Sequence, residues 1–272
     1  MATAKKTPGT AVATKKPASS AIVSIQEQLK AQVAAQANKI APPSGINIRI
    51  TQDKKFQLPD GSKVDGPLDL VVVDFVSRNS FYEEAYDPNN ISPPACFAIH
   101  PEPKQMVPSD NSPAKQSDDC ASCLMNQFGS AGKGKACKNS RVLAVLLARQ
   151  HGQQAVLPPD ADADTPMWLL QVSPTALKGF DGYVGSVART FQMPPIAVVT
   201  SVDFNPNETY ASLTFSDPRP NENLAVHFAR QAEAKELLMA EPDVSGYGQE
   251  PAKPARTPAR PAARKPAVAA RR

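Results

Sequence analysis

Hydrophobic side chains recur with two different periods along the N-terminal part of the chain. Between residues 20 and 38 they recur every three to four positions, which predicts an amphipathic helix ended by Pro42 and Pro43. From Ile46 onward the period is two, which predicts a short strand. A second short strand at 56–58, a Pro-Asp-Gly turn and the apolar run 68–76 follow, and together they predict a sheet or a small barrel.

The C-terminal half of the chain shows both periods again. Two compact apolar runs have the length of strands, Ser173-Pro174 has the composition of a helix start, and Asn205-Pro206-Asn207 joins the clearest hairpin. In chain order the pattern predicts strands at 141–147 and 167–172, a helix at 173–191, strands at 196–204 and 209–216, and a helix at 221–240 with Leu224, Phe228, Leu237 and Leu238 on its apolar side. The predicted fold class is therefore α+β and strand-rich.

The hydrophobic pattern disappears between residues 87 and 138. This stretch is rich in Pro, Ser, Asn, Asp and Gly, and it holds all four cysteines of the chain. Both ends of the chain are low in complexity as well, and such segments cannot build a core. We predict a disordered basic arm at 1–20, a globular domain at 21–240 that contains a cysteine module at 94–141, and a disordered basic tail at 241–272.

The formal net charge of +4 is distributed unevenly. Residues 1–20 carry four lysines and no acid (+4), and residues 249–272 carry seven Lys or Arg and one Glu (+6), so the part between them carries 4 − 10 = −6. A mildly acidic domain thus lies between two basic segments of a kind that binds phosphates. Residues 1–20 lack the apolar core of a secretory signal, and no apolar run has the length of a membrane helix, so we expect a soluble cytoplasmic protein.

The four cysteines follow the spacing Cys96-x23-Cys120-x2-Cys123-x13-Cys137. A CxxC turn presents two sulfurs to one tetrahedral ion, and a second pair completes a closed shell of four thiolates, which is typical of structural Zn²⁺. Zinc binding would also order a stretch that cannot pack by itself. Three alternatives remain open: disulfides, buried free cysteines, and a site in which His100 replaces Cys96.

Two segments of the cysteine module imitate enzyme motifs. His100-Pro101-Glu102 with the later CxxC is similar to a zinc-deaminase signature, but prolines flank the histidine and Asp119 stands where that signature has proline. Gly129-x4-Gly134-Lys135 is similar to a phosphate-binding P-loop, but Ala136 stands where Ser or Thr would hold magnesium. We therefore expect no enzyme active site.

The fourth cysteine lies in the run GKGKACKNSR, in which glycines permit close backbone approach to a phosphate and basic side chains can release its counterions. Aromatic rings nearby can stack on bases if they are exposed; otherwise the rings belong to the core and the lysines to a solvated loop. The predicted nucleic-acid contacts are Phe81, Tyr82, Phe128, Lys133, Lys135, Lys138 and Arg141 in the domain, and Lys253, Arg256, Arg260, Arg264 and Lys265 in the tail.

The segment from Cys120 to Leu147, CASCLMNQFGSAGKGKACKNSRVLAVLL, resembles a CxxCxxNxFGS…GKGKxCKxxR module of poorly characterised tailed-bacteriophage proteins. The segment from Pro194 to Phe215, with VVTSVDF before TYASLTF, is similar to the same proteins. This resemblance implies a phage origin and no particular activity.

A more distant resemblance is to phage single-stranded DNA-binding, helix-destabilising proteins, in which a zinc loop interrupts an OB-fold barrel. Only the metal loop between short strands carries over, onto the four cysteines. The ligand spacing and the basic C-terminal segment depart from that family, whose members typically end in an acidic segment.

These patterns lead to one expectation and one alternative. We expect a strand-rich α+β protein with an OB-like centre and a structural zinc, which binds single-stranded DNA in phage replication or recombination, in the host cytoplasm. The alternative is a protein-binding adaptor in replication, transcription or virion assembly, whose zinc module presents a surface to a partner protein.

Overall fold

The computed structural model describes residues 46–84, 92–148 and 165–248. The predicted helix at 20–38, the arm at 1–20 and the tail beyond 248 lie outside the described residues. The described strands are β1 (Asn47–Ile50), β2 (Phe56–Gln57), β3 (Lys63–Val64), β4 (Leu68–Phe81), β5 (Cys96–His100), β6 (Lys138–Leu147), β7 (Trp168–Val172), β8 (Val198–Phe204) and β9 (Leu213–Pro220). The helices are α1 (Leu177–Phe191), α2 (Leu224–Ala229) and α3 (Gln231–Met239), with 3₁₀ turns at Pro103–Gln105, Leu124–Asn126 and Pro195–Ala197. The fold is mixed α+β and strand-rich, as predicted.

All described strands belong to one sheet with the order β3-β2-β1-β7-β6-β4-β8-β9, and β5 pairs with β4 beside this path. The β1–β7 pair is parallel, and the other pairs are antiparallel. The long strand β4 pairs with β6 along most of its length, with β8 at its first residues and with β5 at its last. This strand therefore connects the centre of the sheet to the cysteine module.

The central strands bury both of their faces. Alternate residues of β4 and β6 point to opposite sides: Leu70, Val72, Leu143 and Val145 to one, and Val71, Val73, Ala144 and Leu146 to the other. Helix α1 covers the first face with the fully buried Phe180, and α3 covers the second with Ala234 and Leu238. Burial on both sides explains why residues 70–73 of β4 are apolar in succession instead of alternating with polar residues.

The sheet curls toward the side of α1. The rings of Phe56 on β2 and Phe204 on β8, which are distant in strand order, have centroids only 4.6 Å apart. Lys54 Nζ donates to the backbone oxygens of Asn205 (3.3 Å) and Glu208 (2.6 Å) in the loop after β8. Side-chain contacts hold this curl, because β3 and β9, the two ends of the strand path, share no ladder in the described residues. A closed OB-like barrel is not established by these pairings.

Two elements differ from the sequence-based expectation. Strand β5 lies in the stretch expected to be irregular, where pairing with β4 orders it. The single helix expected at 221–240 is two helices that meet at Arg230, whose guanidinium donates to Thr165 O (2.5 Å) and Glu233 (2.8 Å). This break changes which side chains face the core, so that His227 is buried and Phe228 is 59% exposed. Phe228 lies with Leu224 on an apolar groove at the surface and is not buried in the core.

None of the helices in the described ranges combines the length and the apolarity that a membrane crossing requires.

Candidate functional site

The end of β4 brings the outer two cysteines together. Cys96, the first residue of β5, is paired with Phe81 of β4. On the opposite edge of β4, Ser80 is paired with Lys138, which directly follows Cys137. The two cysteines therefore lie on either side of one strand, although 40 residues separate them in the chain.

Hydrogen bonds hold the CxxC turn against this strand end. The carboxylate of Asp119 accepts from Ala121 N (3.2 Å) and Ser122 N (2.8 Å), which fixes the turn between Cys120 and Cys123. Asn126 Nδ2 donates to Cys120 O (2.7 Å). The backbone N–H of Cys137 donates to Met125 O (2.8 Å), so the segment with the CxxC pair contacts the fourth cysteine directly.

All four cysteines line one cavity of about 10 Å³. Each is buried, with no more than 9% exposed, and no disulfide joins them. A space of this size is close to the minimum that one water molecule occupies, so it suits a single small ligand such as an ion. Other lining residues include Asn79, Phe81 and Pro108.

The electrostatics of the cavity disfavour thiolates when no cation is bound. Burial raises the pKa of Cys137 to about 12, and the charges of Cys120, Cys123 and Cys96 act in the same direction. Burial also raises the pKa of Cys120 to about 11, although a hydrogen bond from Asn79 opposes this rise. Because the other three cysteines raise the pKa of Cys137 by charge repulsion, the four sulfur atoms are close enough to interact electrostatically. A divalent cation would reverse this balance, because it stabilises thiolates directly.

The cavity does not have the geometry of an assembled metal site. Among the described residues, no group of three or more His, Cys, Asp or Glu side chains is placed as a metal-holding cluster. The four cysteine side chains surround one cavity, but their sulfur atoms are not arranged as the ligands of a metal ion. His100 does not line the cavity, and its Nδ1 accepts from Glu102 N at 2.9 Å, whereas Cys96 does line it. If a metal binds here, the cavity favours Cys96 over His100 as the ligand.

The segment between the third and fourth cysteines is mostly exposed, and we call it, together with Cys137 and Lys138, the basic loop (residues 124–138). Gly129 N and Ala131 N both donate to Gly134 O, at 2.9 and 3.2 Å, so these amides are committed to the loop itself. Gly129 (φ 97°) and Gly132 (φ 66°) adopt left-handed backbone conformations that favour glycine. A P-loop needs amides that point to a phosphate, so this geometry does not support the P-loop resemblance.

The side chains predicted to contact nucleic acid differ in exposure. Phe128 is 79% exposed, and Lys133, Lys135 and Lys138 of the basic loop are exposed with it. Tyr82 is 43% exposed at the end of β4, whereas Phe81 is half-buried and lines the cysteine cavity.

The other basic and aromatic candidates are placed differently. Arg141 has a side chain only 12% exposed, and its Nη2 lies 3.3 Å from Asp181 Oδ2. Phe97, a further ring of the cysteine module, is 1% exposed and cannot stack on a base. The candidates of the tail, Lys253, Arg256, Arg260, Arg264 and Lys265, lie outside the described residues.

Sequence reasoning missed Asn79, a buried side chain of the cavity wall. Its Oδ1 accepts from Asn139 Nδ2 at 2.9 Å, and Asn139 is its partner across the β4–β6 ladder. Because the Asn79 oxygen already accepts this hydrogen bond, the Asn79 amide N–H group donates to the Cys120 side chain. The signal in the sequence was the change from apolar to polar residues along β4, where Ser77 and Asn79 follow the valine run.

Comparison with known proteins gives no assignment. No protein-family model, no curated protein and no solved structure matches this chain. The functional conclusion therefore depends on the residues and geometry described above, and the resemblance to phage proteins stays a prediction.

Proposed function

We propose that this protein binds single-stranded nucleic acid, with DNA as the expected strand, through the basic loop. The observation that carries the proposal is the joint exposure of Phe128 and three lysines on a loop that begins and ends beside a buried cluster of four thiols. An exposed ring can stack on any base, and lysines release counterions from phosphates, so the pair of features suits binding with little sequence preference. No catalytic step belongs to this proposal.

A zinc ion held by Cys96, Cys120, Cys123 and Cys137 is the second part of the proposal. Four thiolates would close the shell of the metal, so the ion would order the basic loop and would not catalyse a reaction. The buried cavity shared by the four cysteines supports this assignment, and the raised pKa values of the Cys120 and Cys137 thiols describe the protein before a cation binds. We also predict an OB-like centre and a role in phage replication or recombination. The argument that Phe128 stacks on a base does not depend on either prediction.

A protein-binding adaptor is the second candidate function, because one apolar surface is exposed far from the basic loop in sequence. A groove of about 450 Å³ is lined by residues that include Met193, Ile196, Leu224 and Phe228. Met193 is 50% exposed and Phe228 is 59% exposed. Contiguous exposed apolar surface of this kind is typical of contacts between proteins.

The test of nucleic-acid binding uses a matched pair of side chains. Phe128 and Leu124 belong to the same loop and are 79% and 78% exposed, but only Phe128 has a ring. We expect Phe128→Ala to weaken binding of a fluorescein-labelled oligo(dT) by about 5- to 150-fold, which corresponds to about 1–3 kcal/mol for one stacked base. Leu124→Ala should change the affinity by less than about twofold, since a side chain without a π-face cannot stack.

Fluorescence anisotropy at two salt concentrations measures both the affinity and its salt dependence. If the protein binds the oligonucleotide at neither salt concentration, the proposal is excluded and the protein-binding adaptor is the remaining candidate function. Equal losses for Phe128→Ala and Leu124→Ala would show that the loop makes a general apolar contact, and the stacking role would then be abandoned.

A further inference from the structure

Two amide side chains connect the sheet to the cysteine cavity. Asn79 is 4% exposed, lines the cavity together with the four cysteines, and is paired in the sheet with Ala98 of β5 and Asn139 of β6. Asn139 Nδ2 donates to Asn79 Oδ1 at 2.9 Å, and the Asn79 amide N–H group donates to the Cys120 side chain. The two hydrogen bonds run in one direction, from β6 through β4 to the CxxC turn.

The amide pair leaves one buried polar atom without a partner. Asn139 Oδ1 is buried and accepts no hydrogen bond within the described part of the chain. A buried carbonyl oxygen of this kind destabilises a fold, and folded proteins contain few of them. Nearer the start of β4 the corresponding pair is Val72 with Val145, which carries no such cost. The amides therefore indicate a role that apolar side chains cannot fill, and the hydrogen bond to sulfur provides one.

Metal binding would make this hydrogen bond stronger. A bound cation displaces the proton of a cysteine, and the resulting thiolate accepts an N–H donor better than a thiol does. The amide then stabilises the negative charge on sulfur and fixes the direction in which the sulfur faces the cavity. Because Asn79 belongs to the long strand β4, the sheet holds its amide in place, whereas Cys120 belongs to an irregular turn. The sheet thus gives one ligand of the metal a rigid support.

We propose that Asn79 is a positioning residue of the metal site: oriented by Asn139, its amide donates to the Cys120 thiolate and thereby increases the affinity for zinc. This inference rests on the zinc part of the proposed function, and it adds a residue that is not itself a ligand. The role differs from that of Asp119, whose carboxylate accepts backbone N–H groups of the CxxC turn and fixes the shape of the turn.

The test measures the zinc affinity of full-length variants by competition with a chromophoric chelator at neutral pH. Asn79→Leu keeps the approximate size of the side chain and removes the donor, and we expect it to bind zinc about 10- to 100-fold more weakly. Ser77→Ala is the matched control, because Ser77 is buried on the same strand and its Oγ makes no hydrogen bond among the described residues. The control should bind zinc as tightly as the unmodified protein.

A double variant separates loss of the donor from general destabilisation. Asn79→Leu alone leaves Asn139 Nδ2 without its acceptor, so this variant should also unfold at a lower urea concentration. When Asn139→Leu is added, both partners are apolar, so stability should recover while the zinc affinity stays low. The cobalt form gives a second readout. Loss of the hydrogen bond raises the energy of the sulfur lone pair, so the sulfur-to-cobalt charge-transfer band should move to longer wavelength in both variants.

Three results would overturn the inference. If the unmodified protein binds no zinc, the zinc part of the proposed function fails and the role of Asn79 fails with it, while the oligo(dT) titration still tests the basic loop. If the unmodified protein binds zinc and Asn79→Leu binds it equally well with an unshifted cobalt band, only the role of Asn79 is lost. Recovery of both stability and zinc affinity in the double variant would show that Asn79 acts through the fold alone.

Discussion

Arg141 shows how the surroundings of one residue change the role that its type suggests. In the sequence it ends the basic run GKGKACKNSR, but in the fold it is the fourth residue of β6 and its guanidinium reaches Asp181 of helix α1. Its side chain is 12% exposed, whereas that of Asp181 is 52% exposed. The geometry therefore assigns Arg141 to the contact between the sheet and α1, and the exposed lysines remain for nucleic acid.

Arg141→Gln should reduce stability and leave nucleic-acid binding almost unchanged. An ion pair with one partner half-exposed contributes about 0.5–1 kcal/mol after solvent screening, so the free energy of unfolding should fall by about that amount. Urea denaturation and the oligo(dT) titration measure the two effects. Lys138→Gln is the matched control, because that side chain is exposed and should show the reverse pattern. A large loss of oligo(dT) affinity in Arg141→Gln would show that Arg141 contacts nucleic acid after all.

At the scale of elements, the break at Arg230 decides how the C-terminal helices pack. Helix α3 directs Leu238 into the core between β4 and β6, where it is fully buried. Helix α2 instead buries His227, which lies 3.0 Å from Asn221 Nδ2, and exposes Phe228. One continuous helix would have required a single apolar stripe along both segments.

Leu238→Ala and Phe228→Ala should therefore differ strongly, although the sequence pattern treats the two positions alike. Removal of a buried leucine leaves a cavity and should cost about 2–5 kcal/mol of unfolding free energy. Truncation of the exposed phenylalanine should stay within about 0.5 kcal/mol of the unmodified protein. Guanidinium denaturation checks both values. Similar losses for the two variants would show that Phe228 is buried as Leu238 is, and would contradict the packing described for α2.

At the scale of the whole molecule, the apolar core and the cysteine module are organised separately. Large clusters of apolar side chains cover both faces of the sheet, whereas the cysteine module buries few apolar side chains besides its cysteines, namely Ala95, Phe97, Ala98 and Met106. So little apolar burial cannot offset the entropy of ordering a long irregular segment. Hydrogen bonds of Ser112 to Phe97 on β5, and of Ser109 and Asn111 to Glu241, add to the stabilisation of the module, and the proposed metal would add more.

Removal of zinc should therefore disorder the module and leave the sheet folded. We expect about one zinc per chain in purified protein. Chelation, or Cys120→Ser, should accelerate hydrogen exchange across residues 106–137, while β4, β6 and β8 keep their protection. Ala121→Ser, on the exposed surface of the same turn, is the control and should change neither zinc content nor exchange. Protein that carries no zinc and exchanges like Cys120→Ser would support four buried free cysteines instead.

Much of the fold followed from local patterns. Alternation and apolar runs predicted β1, β4, β6, β7 and β8 as well as α1, because burial on one or two faces of a sheet leaves a direct trace in residue order. Strand β5 left no such trace, since it is short, follows two prolines and is ordered by its partner β4. The spacing of the cysteines singled out the residues of the cavity, but not Asn79, which reaches the cavity across a ladder.

By itself the sequence determined the mixed α+β class, the clustering of four cysteines and the two basic segments, since composition and periodicity are properties of the chain alone. The tertiary structure decided which of these features are neighbours. It placed Arg141 in an ion pair, exposed Phe128, and brought Tyr247 to Glu83 just beyond the end of β4. These outcomes depend on strand register and on contacts between residues 40 to 164 positions apart in the chain, which a local sequence pattern does not reveal.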